Sequence, residues 1–205
     1  MCGDLWEAYI EAVREEIPTA RMVADRFHVA RHYRDAADQI RKTEFQRLKK
    51  ELPKEEYQKL NGSFRAFRKN AKALNKEERK TLRAFFEYSP GAKPAYGFRE
   101  EFTALYAMNL SKKQAQSKIL RWIWPVEKSG LLGFDNFIHL LRHGWEEITN
   151  FFVHRENSGF MEGFNNKVKV LKRRCYGIFN LKHLFQRISL DLSGYRLFAA
   201  TTLYA

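Results

Sequence analysis

The sequence predicts a mainly α-helical chain that carries a fragment of α/β architecture. Three observations predict it. A helical pattern near the N-terminus leads into one short apolar run, Ala20-Arg21-Met22-Val23-Ala24-Asp25, that reads as a buried strand. The long middle of the chain shows only helical periodicity, and two further helical patterns close it. A lone strand has no neighbour to pair with, so helix-then-strand is half of an α/β unit. The remaining strands are expected upstream and absent from this chain.

Taken in order, Leu5, Trp6, Tyr9, Ile10 and Val13 mark an amphipathic helix that ends near Ile17-Pro18. After the strand, residues 28 to about 51 are helical and strongly charged, closed by Pro53. Asn61-Gly62 signals a turn. Asn75 followed by Glu78 resembles a capping box opening a helix through Tyr88. Residues 89–94, Ser-Pro-Gly-Ala-Lys-Pro, form the clearest break, with helices expected at about 96 to 109 and from 112 to about 124. Ser111 with Gln114 should cap the second of these, and Pro125 should end it. Ser129-Gly130 breaks the chain again. Phe134, Phe137, Ile138 and Leu141 mark one helix, and Trp145, Ile148, Phe151 and Phe152 the next. The last helix is expected to run through about Leu192 with Leu184, Phe185 and Ile188 on its apolar face.

The chain has 205 residues, 44% hydrophobic and 15% aromatic, which excludes a disordered tail and suits one domain with a sizeable core. Its formal charge is +13, and an excess of that size points to a polyanionic partner, usually nucleic acid. Residues 41 to 83 alone hold fifteen Lys and Arg against six Glu, and most of these read as solvated helix faces. Cys2 and Cys175 are too few for a zinc site or a disulfide framework. No apolar run is long enough to cross a membrane, so the expected location is intracellular.

The most informative stretch is residues 154–176. A polar turn ending at Gly159 precedes a helical pattern in which Glu162 shares a stripe with Asn165, Asn166, Lys169 and Arg173. Phe164, Val168, Leu171 and Cys175 form a second, apolar stripe that should face a core. From Gly163 to Leu190 there is no Asp or Glu, while Lys167, Lys169, Lys172, Arg173, Arg174, Lys182 and Arg187 are present. A single acid beside a phosphate-binding surface suggests a metal ligand in a nucleic-acid enzyme. On the helix alone, an acid stabilised by the helix dipole is the commoner explanation. Trp122, Trp124, Trp145 and Tyr176 could stack on exposed bases, but the expectation is that at least three of the four are core.

Three blocks together resemble one family. They are Gly-Asp-Leu-Trp-Glu-Ala-Tyr at 3–9, Ala-Asp-Arg-Phe-His-Val at 24–29, and Asn-Ser-Gly-Phe-Met-Glu-Gly-Phe-Asn-Asn-Lys-Val-Lys at 157–169, with Lys-Arg-Arg-Cys-Tyr-Gly at 172–177. In that order and separation they resemble bacterial insertion-sequence transposases of the ISL-three family, over Gly3 to about Ile188. The resemblance implies a ribonuclease H-like catalytic domain, truncated here with its first strands missing, and a long all-helical insertion. It implies an Asp-Asp-Glu triad holding two Mg ions, and hard divalent cations do favour carboxylate oxygens. It places the second catalytic Asp at Asp4 and the final Glu at Glu162, both as metal ligands. Asp25 and His28 match an Asp-x-x-His signature and would support the site, although Asp25 rather than Asp4 could be the second ligand. A helix N-cap is the structural alternative for Asp25, and a helix-start hydrogen bond for His28.

Asn165, Asn166, Lys167, Lys169, Lys172, Arg173 and Arg174 would hold the DNA backbone, giving affinity and salt dependence with little sequence information. The implied organisation is residues 1–31 as partial core, 32–150 as helical insertion, 151–192 as helices carrying the Glu, and 193–205 as a tail. The resemblance gives no position here for the first catalytic Asp, so the expected activity is Mg-dependent DNA cleavage and strand transfer that this chain does not perform alone. The expected partners are transposon-end DNA and no membrane, with the oligomeric state open to a homo-oligomer. The expected location is the bacterial cytoplasm, at the nucleoid. Two alternatives remain, a non-catalytic basic DNA-binding helical module and a purely structural or dimerising helical protein.

Overall fold

Two two-residue strands, eleven α-helices and two 3₁₀ turns make up the described chain. The computed structural model describes residues 2–3, 5, 7–155, 159–174 and 180–199. The side chains of residues 7, 9, 160–162, 165 and 192–199 fall outside that description. Strand β1 (Cys2–Gly3) pairs in parallel with β2 (Val23–Ala24), joined by helix α1 (Glu7–Glu16). The expected strand at 20–25 is therefore present but shorter, and it has a neighbour. Two residues cannot display alternation, which is why β1 left no periodic signal in the sequence. Ile10 and Val13 on α1 pack with Met22, against Leu5 and Ala20, and both residues of β2 are buried.

The helical body grows out of this sheet. Asp25 caps α2 (Arg26–Glu51), which runs without interruption to Leu52, where Pro53 forbids continuation. Short helices α3 (Lys54–Lys59) and α4 (Ser63–Arg68) turn at Gly62, whose φ of 91° suits glycine. Helix α5 (Lys76–Tyr88) opens with the expected capping box of Asn75 and Glu78. Helix α6 (Ala92–Ala107) starts earlier than expected, because Pro94 sits in its first turn, where the backbone N–H groups have no intrahelical acceptor anyway. Helix α7 (Lys112–Lys128) has the Ser111–Gln114 capping box but continues past Pro125. The proline leaves the Arg121 carbonyl without its helical donor, on the exposed side of the helix, while Val126 is driven into the core. Helices α8 (Asp135–His143) and α9 (Trp145–His154) follow as expected.

The core is aromatic and centres on α2, α6 and α7. Phe102 meets Tyr33, Trp122 and Phe137 at ring-centroid distances of 5.1, 4.7 and 5.0 Å, all in tilted or edge-on geometries that favour aromatic pairs. A 3₁₀ turn at Leu132–Phe134 lies so close to α2 that a Cβ on Gly133 would stand 2.7 Å from Ile40 Cγ1 and 3.0 Å from the Ala36 carbonyl oxygen. Helix α9 closes the sheet: it packs on β2, and Asn150 Nδ2 donates to the Met22 carbonyl at 2.8 Å. Arg14 reaches from α1 to Glu147 on α9 at 2.7 Å. Arg155 ends α9 with φ of 55° and donates to the carbonyls of Met108 and Tyr106, both at 2.7 Å.

The chain divides into two compact units, Met1–Asn157 and Ser158–Ala205. The second contains α10 (Gly159–Arg174) and α11 (Leu181–Ala199). Phe164, Val168 and Leu171 pack with Leu184 and Ile188, so the apolar stripe expected on α10 does face a core, with Cys175 outside the described residues. Phe185, expected on the apolar face of α11, is 65% exposed, because it lies one residue off the 184–188 line. Asn180 Oδ1 accepts from the backbone N–H groups of Lys182 and His183 and so caps α11. The expected organisational limits after residues 31 and 150 fall inside α2 and α9. Among the described residues, no helix is long and apolar enough to cross a membrane.

Candidate functional site

The first candidate residues lie at the C-terminal edge of the sheet. Gly3 is in register with Ala24, and the Asp25 N–H donates to the Gly3 carbonyl at 2.9 Å. The residues before the two candidate aspartates, Asp4 and Asp25, are thus paired. Asp4 itself lies outside the described residues. Asp25 is buried, and its Oδ1 accepts from the Phe27 N–H at 3.0 Å, which makes it the N-cap of α2. His28 is half-buried in the first turn of the same helix. Its neighbour Phe27 is exposed, with the Arg26 guanidinium over its ring.

The second group lies on α10. Glu162 occupies the fourth position of the helix, where an acid is favoured by the unpaired N–H groups. Its side chain and that of Asn165 are outside the described residues. Asn166, Lys167, Lys169, Lys172, Arg173 and Arg174 are exposed, and none of them contributes to the small core of this unit. Lys167 is bound to Asp191 on α11 at 2.9 Å, an acid just beyond the acid-free stretch. The other cations of this group make no ion pair among the described residues. Six exposed polar side chains on one helix, five of them cationic, form a surface suited to a run of phosphates. Asp25 belongs to the first unit and Glu162 to the second.

A sequence profile described as a transposase, that of the ISL-three family, matches residues 1–188. The chain belongs to the ISL-three transposase family. The match takes in β1, the Asp25 cap and α10, and it stops within α11. The chain is also similar to the transposase for insertion sequence element IS1001 from Bordetella parapertussis, with 26% identity over 194 residues. That alignment covers 93% of this chain and 47% of the relative, so this family member spans about half the length of the curated protein it matches. No solved structure matches it.

Whether this transposase-family chain could hold a metal ion can be tested on its donors. Among the described residues, no three His, Cys, Asp or Glu side chains come together in a way that would hold one. The side chains of Asp4 and Glu162, the two acids expected as ligands, lie outside the described residues. Sequence reasoning also missed a charged cluster in the helical body. Asp38 is buried and accepts from Arg41 Nε at 2.7 Å and from Arg68 Nη2 at 2.8 Å. Burial alone would raise its pKa, but the Arg68 and Arg41 hydrogen bonds outweigh that and hold the carboxyl well below the usual carboxylate range. The partner Arg68 is thirty residues distant in sequence, so no local pattern signals the pair.

The four aromatic residues considered for base stacking divide. Trp122 is buried with its Nε1–H donated to the Phe98 carbonyl, and Trp145 is half-buried against the main core. Tyr176 is outside the described residues. Trp124 is 61% exposed. Two residues apart on a helix, Trp122 and Trp124 point about 160° away from one another, and that spacing was the available signal.

Proposed function

We propose that this chain is the C-terminal part of a transposase that cuts and joins DNA in transposition through a ribonuclease H-like Asp-Asp-Glu site. Asp4 and Glu162 act as two of its Mg ligands. The observation that carries the reading is the family match over residues 1–188, because it spans both acids and the basic face of α10. The pairing of Gly3 with Ala24 supports it, since it brings the backbone leading into Asp4 beside the backbone leading into Asp25. On this reading Asp25 and His28 support the sheet edge, with Asp25 holding the start of α2. Asn165, Asn166, Lys167, Lys169, Lys172, Arg173 and Arg174 hold phosphates of the DNA near the scissile bond. When bound, a pair of Mg ions would supply stabilisation of charge on the attacking and leaving oxygens. This reading assigns two acids of the triad and no residue to its first Asp, and on it the chain alone is expected to bind transposon-end DNA without cutting it.

A second reading is a non-catalytic, basic DNA-binding module. The exposed cations of α10 favour it, because they can hold phosphates with no metal beside them. Manganese binding separates the two, measured by water-proton relaxation with the 205-residue chain. The first reading expects weak Mn binding that Glu162→Gln and Asp4→Asn each abolish while DNA affinity is retained. Mn binding left unchanged by Glu162→Gln would sink it and leave the second reading.

A further inference from the structure

Helix α7 carries a surface that the proposed site does not use. On a helix turning ~100° per residue, Lys113, Ser117, Leu120, Arg121 and Lys128 all lie within about 60° of Trp124. All six side chains are exposed, Leu120 by 58% and Trp124 by 61%. The opposite side of the helix, with Ala115, Ile119, Trp122, Ile123 and Val126, is buried. Lys113 and Arg121 make no ion pair among the described residues, nor does the neighbouring Lys118. The one acid on the helix, Glu127, is engaged by Arg142 at 2.7 Å. The Lys128 ammonium lies 3.9 Å from the centroid of the Trp124 ring.

Each part of this face has a chemical implication. An exposed indole beside an exposed leucine leaves apolar surface in water that the fold had no need to place there, since the core already holds Trp122. The cations around it exclude a purely apolar occupant. A flat aromatic ring flanked by uncompensated cations fits a polyanion that also presents flat rings: phosphates meet the lysines and arginine, and a base meets the indole. Duplex DNA hides its base faces in the stack, whereas a single-stranded or melted segment exposes them.

We propose that the Lys113–Lys128 face of α7 is a second DNA-contacting surface, distinct from α10, on which Trp124 stacks with an unpaired base. The proposal rests on the reading of the chain as a DNA-acting protein and deepens it by naming the form of DNA held there.

The test measures affinity of the 205-residue chain for a single-stranded oligonucleotide and for its duplex by fluorescence anisotropy, across a salt series. Trp124→Ala should weaken single-strand binding by about tenfold, with a change under about twofold for the duplex. Trp124→Phe, which keeps a ring, should restore most of the loss. The combined Lys113→Gln, Arg121→Gln and Lys128→Gln variant should flatten the single-strand salt slope by about 2, as expected for three lost phosphate contacts. All these side chains are exposed, and unchanged thermal melting confirms that folding is intact. If wild-type chain binds DNA but Trp124→Ala leaves the single-strand affinity unchanged, the proposal is overturned and the DNA-acting reading stands. The proposal is likewise overturned if Trp124→Ala leaves DNA affinity alone and converts a dimer to a monomer in sedimentation, because the face would then be a protein interface. Wild-type chain that binds neither form of DNA would overturn both.

Discussion

Asp38 shows how one side chain can tie the helical body together. It lies on α2, is nearly covered, and is shared by Arg41 of its own helix and Arg68 of α4. Replacing it by Asn leaves Arg41, itself buried, without its charge partner, at a cost of about 3 kcal/mol. The acid dependence follows in sign. The folded-state pKa lies below the unfolded value, so the contribution is complete at neutral pH and is lost as pH falls through and below the ordinary carboxylate range. Urea midpoints of wild type and Asp38→Asn should therefore differ most at about pH 7 and converge towards about pH 2. A difference of constant size would contradict the assignment.

Among the elements, the contact between the Leu132–Phe134 turn and α2 is the tightest described glycine site. Gly133→Ala forces the new methyl against Ile40 and the Ala36 carbonyl, with an expected loss of about 1–3 kcal/mol. Adding Ile40→Ala should recover part of it, because the crowding atom is removed, and a double-mutant cycle of melting temperatures measures the coupling. Elements with strong local chemistry were legible in the sequence: the Asn75–Glu78 and Ser111–Gln114 boxes both form, and the chain turns at Gly62, where Asn61-Gly62 signals it. Pro125 and Pro94 misled because proline ends a helix only where the lost N–H matters and the chain has nowhere better to go. Strand β1 is too short to show a period, and Trp124 was hidden by a composition rule that places tryptophan inside. Of the candidate site, the capping role of Asp25 could be read from its place before a helical run, and the exposed cations of α10 from their spacing. The Lys167–Asp191 pair could not, since it depends on how two helices meet.

At the scale of the molecule, the two units hold separate clusters of buried side chains. Those of the first reach from Val23 to Phe152, with the small α1 cluster beside them, and the second has Leu171, Leu184 and Ile188 with Phe164 and Val168. A fragment of residues 1–157 is expected to unfold cooperatively at a temperature close to that of the whole chain. A peptide of residues 158–205 should be weakly helical and melt without a sharp transition, because its core among the described residues is one small cluster between two helices, too little to offset the entropy of ordering them. Circular dichroism melts of the two pieces check both statements. Loss of cooperativity in the 1–157 fragment would show that its core depends on the second unit.

The length of α2 has a mechanical consequence. Twenty-six uninterrupted residues at ~1.5 Å each make a rod of about 39 Å, anchored at one end by the Asp25 cap beside the sheet and bound along its length by α6, α8 and the Gly133 turn. No joint interrupts that rod between the strands and the helices packed on it. A force on the far end of the helical region is therefore carried by one continuous helix to Asp25, instead of being taken up at a joint along the way.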